Sequence, residues 1–332
     1  MTGRSPSWGE PRPFGVLHAQ GMPEMKVNAD NFALAETHRM MADLQRDAGG
    51  VNRFLHNREP AAIDKQTVIR LNRDTLYSFA VVDISSGGVL TVPDAGDRYL
   101  SVMIVNEGHY INRVFHDAGS YDLTTEEFES PYVVVAARTL VDPRDPEDLV
   151  DVAAIQDQLG ISAASERSFR LPDYETGSFD RTRNALLALA AEQGSFERSF
   201  GRREDVDPVH HLIGTAAGWG GLPDAEATYV GVAPNLPVGE YELTVPGDVP
   251  VDGFWSISVY NADGFFEPND QGAYSVNSIT AARNDDGSVT VRFGGRGDNA
   301  IPLPEGWNYL VRLYRPRPEI LSGAWSFPTL AQ

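Results

Sequence analysis

The sequence predicts a mainly β protein of the α+β class, in which two antiparallel β-sheet or sandwich blocks flank a helical segment. Short runs rich in β-branched and aromatic residues, separated by Gly, Pro, Asp and Ser clusters, occupy residues 66–140 and begin again at Thr228. The stretch between them shows helix-start signals and helical spacing of apolar residues. The chain therefore divides into an irregular arm (1–30), a β-rich domain with a leading helix (31–141), a helical segment (142–220) and a second antiparallel β domain (221–332).

The leading helix and the first set of strands follow from capping and alternation. Asn31 is placed to cap a helix that runs to about Ala48 and ends at Gly49 and Gly50. The apolar period then changes from helical to alternating. Six strands are predicted: TVIRL, YSFAVVDI, GVLTVP, RYLSVMIVN, YINRVFH and YVVVAARTL. Their roughly hairpin spacing predicts an antiparallel sheet.

Three helices are predicted in the middle segment. The first starts at Asp145, which is followed by Pro146 and by two acids that favour the positive end of the helix dipole. The second runs from about Asp180 to Gln193, and the third begins at Asp207.

The second β domain is predicted from a further set of alternating runs: ATYVGV, GEYELTV, GFWSISVYN, AYSVNSIT, SVTVRF and WNYLVRLYR. In the third of these runs, Trp255, Ile257 and Val259 share one face, which we expect to be core. The opposite face carries serines and aromatic residues and is mixed enough to line a cleft.

Composition excludes several classes of function. The chain has 47 acidic and 27 basic residues and a formal charge of -20, so we expect neither nucleic acid nor a membrane surface as a partner. It has no Cys, which excludes disulfides, thiolate nucleophiles and Cys-ligated metals. No Rossmann or P-loop glycine motif is present, so we expect no cofactor of the nucleotide type. No apolar stretch approaches ~18 residues, and we expect a soluble, cytoplasmic protein.

Several motifs resemble a known pair of domains of unknown function, DUF1254 followed by DUF1214. The motifs similar to the first domain are Asn72 to Ser78, Leu90 to Asp94, and Arg98-Tyr99. Those similar to the second are Ala227 to Tyr229, Phe254 to Ser256, Tyr260-Asn261, Asp263 to Phe265, Pro268-Asn269, Asp286 to Val289 and Leu313 to Glu319. The resemblance spans roughly residues 25–330 and implies a mostly β architecture with an intervening helical part. It implies no catalytic residues.

The turn before the second predicted strand is a candidate catalytic site. Arg73 can hold an anionic or carbonyl oxygen, and the neighbouring Asp74 can act as a base, with Asn72 and Tyr77 as hydrogen-bonding side chains. In the structural alternative, Asp74 caps the turn and Arg73 ties it to a neighbouring loop.

The next strand and turn offer a second set of candidates. Glu107 and His109 are two residues apart, which directs both to one face of an extended chain, and His116 follows seven residues later. Two histidines and a carboxylate are the ligand set of a mononuclear metal site. His109 alone could instead transfer protons, or each histidine could be structural.

Aromatic and amide side chains near the resembling motifs are candidates for substrate binding. A cleft with Tyr and Trp walls and polar groups at its base suits a polar organic ligand with an apolar part. The candidates are Asn72, Tyr99, Tyr110, Trp255, Tyr260 and Asn269.

We therefore expect a ligand site between the two β blocks. The predicted function is an enzyme acting on a small polar organic molecule by acid/base chemistry, of the hydrolase or lyase type, with Asp74 or His109 transferring protons, Arg73 stabilising charge and Tyr77 orienting the substrate. The alternatives are a small-molecule or carbohydrate binding protein without turnover, and a metal enzyme using Glu107, His109 and His116. The partner is a small-molecule ligand, and a homo-oligomer remains open.

Overall fold

The computed structural model describes residues 24–66, 69–193 and 195–330, so most of the predicted arm (1–30) lies outside the described residues. The helices are α1 (Phe32–Ala48), α2 (Thr125–Phe128), α3 (Pro146–Gln156), α4 (Thr176–Glu192), α5 (Pro208–Gly218) and α6 (Pro318–Leu321), with a 3-10 turn at Ile63–Lys65. The strands of the first block are β1 (Leu55–His56), β2 (Thr75–Asp83), β3 (Gly88–Val92), β4 (Leu100–Asn106), β5 (Ile111–Phe115), β6 (Gly119–Leu123), β7 (Tyr132–Leu140) and β8 (Gly160–Ala163). Those of the second are β9 (Ala227–Val232), β10 (Tyr241–Val245), β11 (Trp255–Tyr260), β12 (Ser275–Asn277), β13 (Val289–Phe293), β14 (Ala300–Ile301) and β15 (Asn308–Tyr314).

The predicted fold class is confirmed, because several antiparallel sheets form two β blocks that are separated along the chain by the middle helices. In the first block a five-stranded sheet, in the order β1-β2-β7-β4-β5, packs one face on the three-stranded sheet β6-β3-β8. Its other face packs on α1 and on the segment around Phe200 and Leu222. In the second block the sheets β12-β11-β15-β9 and β10-β13-β14 enclose one apolar core.

Three local predictions are wrong. The run TVIRL does not form a strand over its described residues 69–71, where Arg70 adopts a left-handed backbone with φ 53°. The middle segment is not wholly helical, because β8 adds to β3 as an antiparallel partner. Asn31 also does not cap α1 with its side chain, which instead bonds to Asn28 and Lys26. Among the described residues, no helix has the length and apolar character to cross a membrane.

The predicted alternation along β11 decides which side chains face the first block. Trp255, Ile257 and Val259 lie in the core between the two sheets of the second block. The prediction that Trp255 lines the ligand site is therefore wrong: its ring packs 5.5 Å from that of Phe327, on the face that points away from the junction. The opposite face of β11, with the neighbouring Arg312 on β15, faces the first block.

Polar side chains join the two blocks. Ser256 Oγ donates a hydrogen bond to Asp74 Oδ2 at 2.6 Å, and Tyr260 Oη donates to the carbonyl of Leu71 at 2.8 Å. Arg312 Nη2 donates to the carbonyl of Arg70 at 2.7 Å and to Tyr260 Oη at 2.8 Å. The predicted catalytic turn thus does meet the second β domain, and its contacts fix the chain there.

Asp74 occupies a structural position at this junction. Its side chain is 1% exposed, and Oδ1 has no hydrogen-bond partner in the described part of the chain. Burial raises the pKa of Asp74 above its ordinary value, and the opposing effects of Arg312 and Ser256 are smaller.

We expect Ser256→Ala to destabilise the protein by about 1–3 kcal/mol, because it leaves the buried Asp74 carboxyl without its serine donor. Urea unfolding measures the loss. Ser322→Ala, at an exposed serine on the surface, is the control and should leave the midpoint unchanged. An unchanged midpoint for Ser256→Ala would contradict this account of the junction.

We also expect Asp74→Asn to change how stability depends on pH. A carboxyl with a raised folded pKa binds its proton more tightly in the folded chain, so the contribution of Asp74 to stability is fully present below the unfolded pKa of about 3.9 and is lost as the pH rises through the folded pKa. Asp74→Asn lacks this fall, so its unfolding free energy should rise relative to wild type across that window. Urea unfolding over a pH series tests this, with the exposed Asp285→Asn as control; a difference that shrinks with rising pH would show that the sign is wrong.

Candidate functional site

A row of three polar side chains crosses the five-stranded sheet of the first block. Tyr77 on β2 lies directly opposite Arg138 on β7, which in turn lies opposite Ser101 on β4. Directly opposed residues of antiparallel strands point to the same side of a sheet. All three therefore project from the face that meets the second block.

Arg138 is a buried cation with few partners. It is 6% exposed, its Nη2 donates to the carbonyl of Gly220 at 2.6 Å, and its guanidinium carbon lies 5.2 Å from the ring centre of Tyr77. Within residues 24–66, 69–193 and 195–330, no carboxylate forms an ion pair with Arg138, and Nη1 has no hydrogen-bond partner. Burial acts to lower its pKa, but the surrounding phenols Tyr77, Tyr229 and Tyr99 raise it, so the guanidinium stays charged.

Tyr77 has the electrostatic setting of a proton-transfer group. Burial of its hydroxyl raises the pKa, but the positive charge of Arg138 and the amide of Asn72 outweigh it, and the pKa of Tyr77 falls below its ordinary value. Asn72 Nδ2 donates to Tyr77 Oη at 3.4 Å and to Tyr314 Oη at 3.0 Å. The ring of Tyr77 is half-buried, so part of it is open to solvent.

Tyr99 completes the site on the side of the second block. Its ring centre lies 5.2 Å from that of Phe254 and 5.3 Å from that of Tyr314. Burial raises the pKa of Tyr99 well above its ordinary value, which keeps the phenol protonated. Its hydroxyl lies beside that of Ser101, and neither hydroxyl has another hydrogen-bond partner among the described residues.

His109 lies outside this cluster and supports it through the backbone. His109 Nε2 accepts a hydrogen bond from the amide of Gly220 at 2.9 Å, and Nδ1 lies 2.8 Å from Thr215 Oγ1. Because Thr215 Oγ1 donates to the carbonyl of His211, we assign the imidazole proton to Nδ1. Burial and the neighbouring His211 hold the pKa of His109 well below its ordinary value. With both nitrogens engaged, His109 is a positioning residue, which corrects its predicted role in proton transfer.

The predicted metal site is not assembled. Glu107 Oε2 lies 3.9 Å from His38 Nε2, and His116 Nε2 lies 2.7 Å from Glu226 Oε2. In the described ranges, no group of three or more His, Asp or Glu side chains could hold a metal ion. Glu107 and His109 do not share one face of an extended chain, because His109 lies in a turn and has a left-handed backbone with φ 64°.

The remaining predicted residues take other places. Arg73 donates to the carbonyl of Ala61 and lies over the ring of Tyr274, at the wall of a crevice of about 20 Å³. That volume holds about one water molecule, which is too small for an organic substrate. The contacts of Arg73 thus agree with the structural alternative, in which it ties the turn to a neighbouring loop.

Two predicted binding residues serve local structure instead. Tyr110 stacks on His211 with ring centres 4.5 Å apart, and the guanidinium carbon of Arg203 lies 4.3 Å from the ring centre of Tyr110. Asn269 accepts hydrogen bonds from the amides of Gln271 and Ala273 and closes a turn. Of the predicted site residues, the structure brings Asn72, Tyr77 and Tyr99 together, and places Asp74 and Tyr260 at the adjoining junction.

Sequence reasoning missed Arg138, Ser101, Gly220 and Tyr229, whose phenol acts on the pKa of Arg138. A signal for Arg138 was present, since it is the single charge in YVVVAARTL, a strand in which eight of nine residues are buried. A charge inside such a strand needs a special partner.

One solved structure supports the fold. The VPA0106 protein from Vibrio parahaemolyticus is similar over 90% of this chain and 96% of that chain, with a TM-score of 0.68 and 17% sequence identity. An uncharacterized protein from Burkholderia cenocepacia matches over 90% of this chain and 86% of that chain, with a TM-score of 0.48 and 14% identity. No curated protein matches the chain.

Two family models match separate parts of the sequence. Residues 51–122 match the protein of unknown function DUF1254, and residues 236–318 match the protein of unknown function DUF1214. These matches confirm the predicted resemblance: the chain is a tandem protein with a DUF1254 segment in its first β block and a DUF1214 segment in its second.

Proposed function

We propose that this protein is an enzyme that acts on a small polar organic molecule by acid/base chemistry, of the hydrolase or lyase type, with Tyr77 as the proton-transfer residue. The observation that carries the proposal is the pairing of Tyr77 with a buried Arg138 that has no carboxylate partner among the described residues. A tyrosine whose pKa is lowered by a fixed charge at a junction of two domains is typical of an active site.

Tyr77 in this arrangement can both accept a proton and return it. Arg138 favours the phenolate of Tyr77, and Asn72 donates toward the same oxygen, so this oxygen is held ready to accept a proton. In a hydrolysis the phenolate takes a proton from the attacking water, and in an elimination it takes one from the substrate. In both cases the phenol then returns the proton to the leaving group.

The surrounding residues suit the same chemistry. Arg138 can stabilise negative charge that develops on the substrate, because a guanidinium in a largely buried site is weakly screened by solvent. Tyr314 has a pKa well above its ordinary value owing to burial, so it acts as a neutral hydroxyl. Asp74 is retained as a structural carboxyl and Asn72 as the residue that positions Tyr77.

A second candidate is binding of a small molecule without turnover. One observation favours it: Tyr99 and Tyr314, two of the phenols near Arg138 or Arg312, have raised pKa values and are fixed as neutral groups. A binding site needs such donors but has no need of an ionisable Tyr77.

We expect the Tyr77 hydroxyl to ionise at a lower pH than it does without the charge of Arg138. In a titration followed by NMR of ¹³Cζ-labelled tyrosine, wild type should show an early-ionising signal that is absent from Tyr77→Phe and that moves to higher pH in Arg138→Met. Tyr121→Phe, whose hydroxyl donates to Asp117 on the far side of the first block, should retain this signal. An early signal that persists in Tyr77→Phe would contradict the assignment.

We expect Tyr77→Phe to reduce turnover by about 10²- to 10⁴-fold, the usual contribution of a positioned acid/base group. The assay is a panel of 4-nitrophenyl esters for hydrolysis and of small β-hydroxy acids for elimination, with Tyr121→Phe as the matched control. Turnover that is equal in wild type and Tyr77→Phe would refute the role of Tyr77. Binding of panel members without any turnover would favour the second candidate.

A further inference from the structure

We infer that the molecule bound at this site carries a carboxylate, which binds Nη1 of Arg138 together with the hydroxyls of Ser101 and Tyr99. The inference rests on the proposed function for the location of the site and adds the chemical class of the substrate. It is carried by three buried polar atoms on one face of the sheet, Nη1 of Arg138 and the neighbouring hydroxyls of Ser101 and Tyr99, that have no hydrogen-bond partner outside this trio in the described part of the chain.

The three groups lie side by side. Arg138 and Ser101 are directly opposed on β7 and β4, and the amide of Leu140 donates to the carbonyl of Tyr99. Tyr99 therefore continues the pairing of β4 with β7. Because it lies two residues before Ser101, its side chain points to the same face. Their exposures are 6% for Arg138, 0% for Ser101 and 8% for Tyr99, so each is more than nine-tenths buried.

Buried polar groups are nearly always hydrogen-bonded, because an unpaired donor loses its interaction with water and gains nothing in return. An adjoining trio without partners is therefore an unusual arrangement within a folded sheet. A bound group that accepts hydrogen bonds would satisfy all three at once, and a carboxylate has two oxygens with about four lone-pair sites.

The charge balance also requires an anion. Arg312, the other buried arginine of the junction, has Asp74 near enough to raise its pKa, together with Ser258 and Tyr260 as hydrogen-bond partners. Arg138 has the carbonyl of Gly220, the hydroxyl of Tyr77 and the nearby phenols of Tyr229 and Tyr99, but no carboxylate among the described residues pairs with it. While the Tyr77 phenol is protonated, a ligand carboxylate would therefore supply the counter-charge of Arg138.

A carboxylate fits better than a phosphate. Glu226 lies close enough to raise the pKa of Tyr99, so a negative charge already borders the site. A phosphate near neutral pH brings close to two charges, and only Arg138 is free to balance them, whereas a carboxylate brings one. The formal charge of -20 on the whole chain adds to the preference for a monoanion.

The position of the anion places the rest of the molecule beside Tyr77. Opposed side chains of neighbouring strands have Cβ atoms about 4.5–5.5 Å apart, so a carboxylate on Arg138 holds its adjoining carbon atoms near the Tyr77 hydroxyl. On this side of the cluster Tyr77 is half-buried, and Tyr229, whose phenol acts to raise the pKa of Arg138, is 45% exposed. The reacting bond is then close to the carboxylate, in a small organic acid.

The test is a binding titration by ligand-observed NMR with acetate and benzoate, their neutral counterparts acetamide and benzamide, and inorganic phosphate. We expect the carboxylates to bind at least about 10-fold more tightly than the amides, the usual effect of a charge-assisted hydrogen bond. Arg138→Met should weaken benzoate binding by about 10- to 100-fold, and Ser101→Ala and Tyr99→Phe by less, because they remove neutral donors. Equal binding of benzoate and benzamide, or tighter binding of phosphate, would overturn the inference.

Thr139→Val is the matched control. The Thr139 hydroxyl is also buried without a partner in the described chain, but it lies on β7 next to Arg138 and points to the opposite face. Thr139→Val should therefore leave benzoate binding unchanged. If Arg138→Met does not fold, as circular dichroism would show, the double variant of Ser101→Ala with Tyr99→Phe decides the question, and unchanged binding in that variant would contradict the inference.

Tyr77→Phe separates this inference from the proposed function. We expect it to retain benzoate binding while it loses turnover. If carboxylates fail to bind but Tyr77→Phe lowers turnover, only the carboxylate inference is wrong. If carboxylates bind through Arg138 and Tyr77→Phe leaves turnover unchanged, only the proposed function is wrong.

Discussion

The structure depends on how two buried arginines are accommodated where its β blocks meet. Arg312 projects from a strand with all seven residues buried, and Arg138 from one with eight of nine buried. A buried charge is costly unless it has polar partners, so the chain around each arginine must supply them. Arg312 obtains Ser258, Tyr260 and the backbone of residue 70 and thereby joins the blocks, whereas Arg138 obtains one carbonyl and the faces and edges of phenols. This difference separates the structural arginine from the one we assign to ligand binding.

The helical segment contributes to the site through one glycine. The amide of Gly220 donates to His109, and its carbonyl accepts from Arg138. Gly220 has φ 77°, a left-handed backbone that favours glycine, so the loop can present both of its polar groups in these directions. Gly220 thus connects neutral His109 to Arg138 by two hydrogen bonds. The helical segment contacts the first β block at this residue.

The sequence predicted the architecture better than the site. Alternation along β11 correctly separated a core face from a polar face, and the same rule places Trp255 in the core, so that candidate could have been removed by pattern alone. The Glu107 and His109 pair could not be judged this way, because a turn with φ 64° replaces the extended backbone that the argument assumed. Arg138 and Ser101 are 37 positions apart in sequence and become neighbours only through the register of β4 and β7, which local spacing does not contain.

The most direct test of the account is a crystal structure of the protein with 4-bromobenzoate, in which anomalous scattering from bromine locates the ligand. The central claim is that the uncompensated charge of Arg138 defines the ligand site at the junction of the blocks. The account predicts the carboxylate within hydrogen-bonding distance of Nη1 of Arg138 and the ring toward Tyr77. A ligand bound elsewhere, with Arg138 untouched, would contradict it.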